Sequence, residues 1–264
     1  MENENNEMFY IVEDEVKKMK FFQRIVSLFV SPVKLMQNIK GHPIVISMLA
    51  LAMGLSLVLI PFLNKLSALA TNKVAEIMLT RYGQDALAVV ETIQATANNQ
   101  AQSIITLVAT ALSAMLAYPI MCLLSALGLL IITKIARGGA RYIQYLSMYS
   151  HVVIITALGA LITTPIMVYT GTMLDVSSLA AVFMPNGDFS MMSYNVLTAI
   201  TLFEILKCII LVIGVREING FSLTKSIVVV VIMFVLSVSV TAALSGSSVF
   251  IMDLSFKAMG YSYQ

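Results

Sequence analysis

Three ionisable side chains stand inside apolar stretches of this sequence, where charge is costly. Glu204 and Lys207 lie near the middle of an apolar run over residues 194–215, and at a spacing of three they share a helix face and can pair. His151 lies near the start of another apolar run and would join the pair if the two helix faces meet. An unpaired charge at the centre of a bilayer costs about 2.5–3.5 kcal/mol, so the pair must face protein or water.

Two interpretations of Glu204, Lys207 and His151 remain open. The functional one is a proton or ion relay, in which a histidine that titrates near neutral pH exchanges protons with the carboxylate. The structural one is an internal ion pair that fixes the rotation of its helix. One ion pair does not make a pathway, which favours the structural interpretation.

The rest of the sequence offers little for catalysis. It contains no HExxH, Walker A, GxSxG or dinucleotide-binding glycine pattern. Two histidines are too few for a multi-histidine metal site, and Cys122 and Cys208 lie in apolar runs without metal ligands at a useful spacing. We therefore expect a protein that is not an enzyme and has no catalytic residues, metal or cofactor.

The composition is that of an integral membrane protein. Of 264 residues, 59% are hydrophobic and 11% are charged, whereas a soluble domain is about 45–50% apolar and about 25% charged. Mean hydropathy is +0.90. The net charge of +2 and the absence of a basic block argue against nucleic-acid binding.

Apolar runs of membrane-crossing length occur five times. A bilayer core about 30 Å thick requires roughly 20 helical residues. We predict an all-α, polytopic membrane helix bundle over residues 44–246, with five transmembrane helices at 44–63, 103–133, 145–169, 194–215 and 225–245.

The distribution of basic residues predicts the orientation. Under the five-span plan eleven basic residues share the amino-terminal side, and only Lys65, Lys73, Arg81 and Lys257 lie on the other. The positive-inside rule then places the amino terminus in the cytoplasm and the carboxyl terminus outside, in a multi-pass protein of the plasma membrane. The eleven are Lys17, Lys18, Lys20, Arg24, Lys34, Lys40, Lys134, Arg137, Arg141, Arg216 and Lys225.

The segments that flank the first span have distinct predicted roles. Residues 1–15 form an acidic, disordered cytoplasmic tail, and residues 16–43 form amphipathic helices at the cytoplasmic interface. Their cations are candidates for contact with the membrane surface or with a partner protein; they are Lys17, Lys18, Lys20, Arg24, Lys34 and Lys40. Residues 64–102 form an extracytoplasmic helical hairpin that packs on the bundle or binds a ligand, and residues 247–264 form an extracytoplasmic tail.

Three segments resemble the Yip domain family of Ypt/Rab-interacting membrane proteins, in particular its bacterial branch. They read SPVKLMQNIK at 31–40, YIQYLSMYS at 142–150 and FEILKCIILVIGV at 203–215. The resemblance covers about residues 30–240, although Glu204 and Lys207 lie outside the family signature and Leu206 stands where a tryptophan is frequent. It implies a five-span, non-enzymatic adaptor. Eukaryotic members are linked to vesicle trafficking through small GTPases, and some bacterial members are associated with ABC-type export machinery.

The leading hypothesis is an integral membrane adaptor that binds lipid and other membrane proteins, including an ABC-type transporter, trafficking machinery or a second copy of itself. The alternative is a small transporter or channel component that uses Glu204, Lys207 and His151.

Overall fold

The computed structural model describes residues 18–83, 87, 88, 90–92, 94, 95, 104–185, 187 and 191–258. All elements named in these ranges are α-helices, which confirms the all-α prediction. The predicted acidic tail, Lys17 and residues 259–264 lie outside the described residues. The helices are α1 (Phe21–Val30), α2 (Pro32–Gly41), α3 (Ile46–Val58), α4 (Ile60–Tyr82), α5 (Ile104–Ile135), α6 (Tyr142–Thr170), α7 (Leu179–Phe183), α8 (Met192–Ala199), α9 (Leu202–Asn219) and α10 (Leu223–Ala258).

Within the described residues, three helical segments are long and apolar enough to cross a membrane. They are Leu107–Ile135, Tyr142–Thr170 and Leu223–Leu244, of 29, 29 and 22 residues. A helix of 29 residues is about 44 Å long, more than the bilayer core requires. The fifth predicted span lies within α10, which continues as one helix to Ala258 and through the start of the predicted tail.

The first predicted span is bent. Helix α3 ends at Val58, α4 begins at Ile60, and the two axes differ by 60°. Pro61 stands in the first turn of α4, where its missing N–H costs no hydrogen bond. Together α3 and α4 could form a fourth crossing.

The predicted boundary between this span and the outer hairpin is not a break in the helix. Helix α4 runs without interruption to Tyr82 and ends at Gly83, whose φ of 64° is readily available to glycine. The residues described between 87 and 95 are again helical, while residues 84–86 are outside the described part.

The fourth predicted span, 194–215, is not a continuous helix. Ile200 and Thr201 are extended between α8 and α9. Their backbone pairs with the preceding loop: Leu179 N donates to Ile200 O at 2.9 Å, and Leu202 N donates to Ser177 O at 3.0 Å. The break is therefore tolerated because its polar groups are bonded to protein. In the described part of the chain three helices, or four with the bent pair, are long and apolar enough to cross a membrane, so the prediction of five spans is not confirmed.

Helix α6 lies at the centre of the bundle and contacts α1 to α5 and α9.

One end of the bundle gathers the connections that carry most of the basic residues, and we call it the basic end. There Gln37 donates to Glu217 at 3.0 Å, and Gln144 donates to the Lys40 carbonyl at 2.7 Å. Asn219 accepts from Ala140 N at 3.3 Å.

Candidate functional site

Glu204 and Lys207 form the ion pair that their spacing allows, but in a different setting from the predicted one. Because the helix breaks at Thr201, Glu204 lies in the first turn of α9 and not in mid-helix. The Thr201 hydroxyl accepts from Glu204 N at 3.1 Å and caps the helix. A carboxylate in this position interacts favourably with the positive end of the helix dipole.

The start of α9 is deep in the bundle. The neighbouring Phe203 packs on Gly159, which is seventeen residues into α6 and therefore about 25 Å from its start at the basic end. Each side chain of the Glu204–Lys207 pair is 21% exposed. The prediction that the pair faces protein or water therefore agrees with its surroundings.

A small cavity of mixed polar and apolar lining adjoins the pair. It has a volume of about 30 Å³ and is lined by residues of α5, α6, α9 and α10, among them Ser125, Tyr149 and Ser237. This volume is enough for a water molecule, which the hydroxyl and charged groups could hydrogen-bond.

His151 does not join this cluster. It is not among the residues that line the cavity, and it follows the lining residue Tyr149 by two positions, a rotation of roughly 200° around α6. The ring is fully buried, with Nδ1 2.6 Å from the Ser147 carbonyl. The Nδ1–H must donate in that bond, which leaves Nε2 as an acceptor that has no hydrogen-bond partner. The predicted group of three is thus a pair and a separate histidine.

A second cluster is built around Arg24, which the sequence placed among the surface cations. Its side chain is fully buried. Arg24 Nη2 donates to Asn38 Oδ1 at 2.6 Å and to the His42 carbonyl at 2.8 Å, and Nε donates to the Met19 carbonyl at 3.3 Å. Burial lowers the pKa of this guanidinium from its ordinary value, although arginine stays protonated near neutral pH.

This cluster joins α1 to α2, and separate hydrogen bonds join the segment after α2 to the bundle. Asn38 Oδ1 also accepts from Met19 N at 3.3 Å. One amide of α2 thus bonds both the segment before α1 and Arg24 within α1. The Ser147 hydroxyl of α6 bonds both backbone groups of Ile44, at 3.0 and 2.8 Å. The sequence analysis did not identify Asn38, Gln144 and Ser147 as contact residues. A signal was present for Asn38, whose polar amide lies between Met36 and Ile39, two apolar residues that are buried.

With Arg24 turned inward, α1 presents an apolar face outward. The exposed fractions are 78% for Phe22, 59% for Val26, 48% for Phe29 and 77% for Val30, and we call these four residues the α1 stripe. The surrounding cations of this end that the structure describes are exposed, namely Lys18, Lys20, Lys34 and Lys40. The geometry is that of an interfacial surface with basic flanks.

Comparisons with known proteins give no information on function, so function is argued from the geometry described above. No protein-family model matches the chain, and no curated protein or solved structure is significantly similar to it. Membership of the Yip family therefore stays a prediction, and the description that stands is a helical bundle with three or four helical segments long and apolar enough to span a membrane, within the described residues.

Proposed function

We propose that this protein is a non-enzymatic membrane adaptor of the Yip type, which binds other integral membrane proteins through its amino-terminal helices. The observation that carries the proposal is the exposed α1 stripe on helices that Arg24 and Asn38 hold together and that the Gln144–Lys40 and Ser147–Ile44 hydrogen bonds fasten to the bundle. A surface of this kind can dock a partner without moving relative to the membrane domain.

The energetics favour covering the α1 stripe. Burying one large apolar side chain contributes about 1.5–3 kcal/mol, so four of them provide several kcal/mol to an interface. Each lysine near an anionic leaflet adds about 1 kcal/mol. The concentration of cations at the basic end supports a cytoplasmic position for it in the plasma membrane.

The three segments that resemble the Yip family also support the proposal. Helix α2 packs on α9, and both contact α6. Met36 and Met148 meet at Gly214, where a Cβ would lie 3.0 and 2.2 Å from their sulfur atoms. Segments that are distant in sequence thus form one packed unit, as expected if they are a shared structural signature. By this resemblance, the partner is an ABC-type export complex or trafficking machinery.

Neutralising the lysines around the α1 stripe should reduce partner binding. We expect the triple variant Lys18→Gln, Lys20→Gln and Lys34→Gln to retain less than about a tenth of the wild-type partner, because attraction to an acidic surface is lost. The measurement is crosslinking in the membrane, purification in mild detergent and quantitative mass spectrometry of the co-purified proteins.

The matched control removes three exposed charges elsewhere at the basic end, with Lys134→Gln, Arg137→Gln and Lys225→Gln. It should retain the partner. Equal recovery with both triple variants at physiological salt would exclude the α1 stripe as the docking site.

A transporter or channel component is the second candidate, favoured by the broken path of α8 and α9. Discontinuous helices inside membrane proteins frequently place half-helix ends at a substrate or ion site. Here the break lies beside the Glu204–Lys207 pair and the small cavity that adjoins it. His151 lies outside that cavity, so the relay would use the pair without it.

For this second candidate, Glu204→Gln should abolish a pH-dependent flux in reconstituted vesicles. The conservative control is Glu91→Gln, which changes an exposed carboxylate and should leave the flux intact. Absence of flux in the wild type would reject the transporter function, and a folding defect of Glu204→Gln without flux would identify a structural ion pair.

A further inference from the structure

A large cavity lies at the end of the bundle away from the basic end. Its volume of about 440 Å³ is within the range of small-molecule sites. One wall is a single face of α4, with Leu69, Asn72, Lys73 and Glu76 at helical spacing. The facing wall is the loop after α6, at 171–174.

The cavity lies where a membrane crossing ends. Helix α6 ends at Thr170, and Gly171 caps it with a φ of 68°. The next residues line the cavity, and since α6 is longer than the hydrocarbon core, the cavity lies at the level of the headgroups, next to the core, when α6 crosses a bilayer. A ligand bound here can extend into both regions.

The cavity presents both signs of charge. Lys73 Nζ lies 2.9 Å from Glu76 Oε2, and their side chains remain 46% and 65% exposed. The carboxyl-terminal end of α6 carries a partial negative charge, which adds to that of Glu76. The complementary ligand therefore has an oxyanion for Lys73 and an ammonium for Glu76.

The remaining lining residues of the cavity indicate which kind of zwitterionic ligand fits. Leu69, Met173 and Leu174 provide an apolar side suited to a glycerol backbone and the start of acyl chains. Glu76 can accept hydrogen bonds from a primary ammonium, whereas a quaternary ammonium is usually held by an open aromatic cage. Tyr194, the aromatic residue of the described lining, is only 3% exposed.

We infer that this cavity binds one phosphatidylethanolamine molecule, with its phosphate at Lys73 and Asn72 and its ammonium at Glu76. The shared chemistry of an oxyanion and a primary ammonium also occurs in soluble headgroup compounds. The bilayer boundary and the apolar side favour the intact lipid.

The test is native mass spectrometry of the full chain in mild detergent, titrated separately with dioleoyl phosphatidylethanolamine, phosphatidylcholine and phosphatidylglycerol. We expect one bound phosphatidylethanolamine, with at least about tenfold weaker binding of the other two lipids. Lys73→Gln and Glu76→Gln should each weaken binding about tenfold. Exposed ion pairs contribute little to stability, so both variants should keep the wild-type melting temperature.

Lys65→Gln is the matched control, because Lys65 lies on α4 but not on the cavity wall; it should bind like the wild type. Equal binding of the three lipids, or unchanged binding by both Lys73→Gln and Glu76→Gln, would overturn the inference. Soluble glycerophosphoethanolamine is titrated by calorimetry, and an affinity equal to that of the lipid would overturn the assignment to an intact phospholipid.

Discussion

Asn38→Leu should lower the free energy of unfolding by about 2–4 kcal/mol, because it removes an acceptor from a buried guanidinium. Asn38 Oδ1 receives the shortest hydrogen bond of Arg24, at 2.6 Å, and also the Met19 N–H. Leucine has a similar volume but no acceptor, so the positive charge would be left with two backbone carbonyls. The measurement is denaturant unfolding in detergent, together with hydrogen exchange of the α1 and α2 amides, which should become faster.

A double variant separates the hydrogen bond from packing. Arg24→Met together with Asn38→Leu replaces both partners by apolar side chains, so its loss of stability should be smaller than the sum of the two single losses, by about 1–3 kcal/mol. Lys34→Leu, at an exposed position of the same helix, is the control and should change stability little. Additive losses in the cycle would contradict a coupled Arg24–Asn38 contact.

Gly159→Val should destabilise the bundle by about 3 kcal/mol or more and displace the start of α9. A Cβ at position 159 would lie 2.5 Å from Phe203 Cγ and 3.0 Å from Phe203 Cβ, and these atoms at the base of the side chain cannot swing away. Since Phe203 precedes Glu204, the same change should alter the environment of the ion pair. Thermal unfolding in detergent measures the loss.

Gly54→Val is the matched control for Gly159→Val. Gly54 also lies within a helix, α3, but a Cβ there has no neighbour within 4 Å. Valine has a higher helix propensity than glycine, so Gly54→Val should leave the stability unchanged or raise it slightly. Phe203→Ala should relieve part of the Gly159→Val defect in the double variant. Equal losses for Gly54→Val and Gly159→Val would contradict the close approach of α6 and α9.

The sequence predicted the helical class and three of the long apolar helices because those features depend on local composition. In α5, α6 and α10 the apolar runs are long enough that no other arrangement satisfies the backbone in a bilayer. The close approach at Gly159 also agrees with the small residues of that region, which allow helices to pack tightly.

The break in the fourth predicted span depends on tertiary contact. Hydropathy continues across Ile200 and Thr201, and the backbone pairing with Ser177 and Leu179 stabilises the interruption. A local signal was present, since Thr201 and Glu204 have the threonine-to-glutamate spacing of a helix start. Because of this break, the ion pair lies at a helix terminus and not in mid-span.

The position of Arg24 was also beyond a single-sequence argument. Its charge and its amphipathic helix both favour a surface position. The neutral acceptors that stabilise it inside come from the Met19 and His42 carbonyls and from Asn38 in the next helix. No pattern within α1 indicates those partners, whereas the exposed position of Lys34 and Lys40 agrees with simple charge reasoning.

Site-specific photo-crosslinking from Phe22 in living cells tests the adaptor proposal most directly. Phe22 is 78% exposed on the α1 stripe, and Leu112, 55% exposed in the spanning part of α5, is the lipid-facing control. We predict a discrete protein adduct from position 22, weakened by the Lys18, Lys20 and Lys34 triple variant, and only lipid adducts from position 112. Lipid adducts alone from positions 22 and 30 would contradict a protein-docking function for this surface.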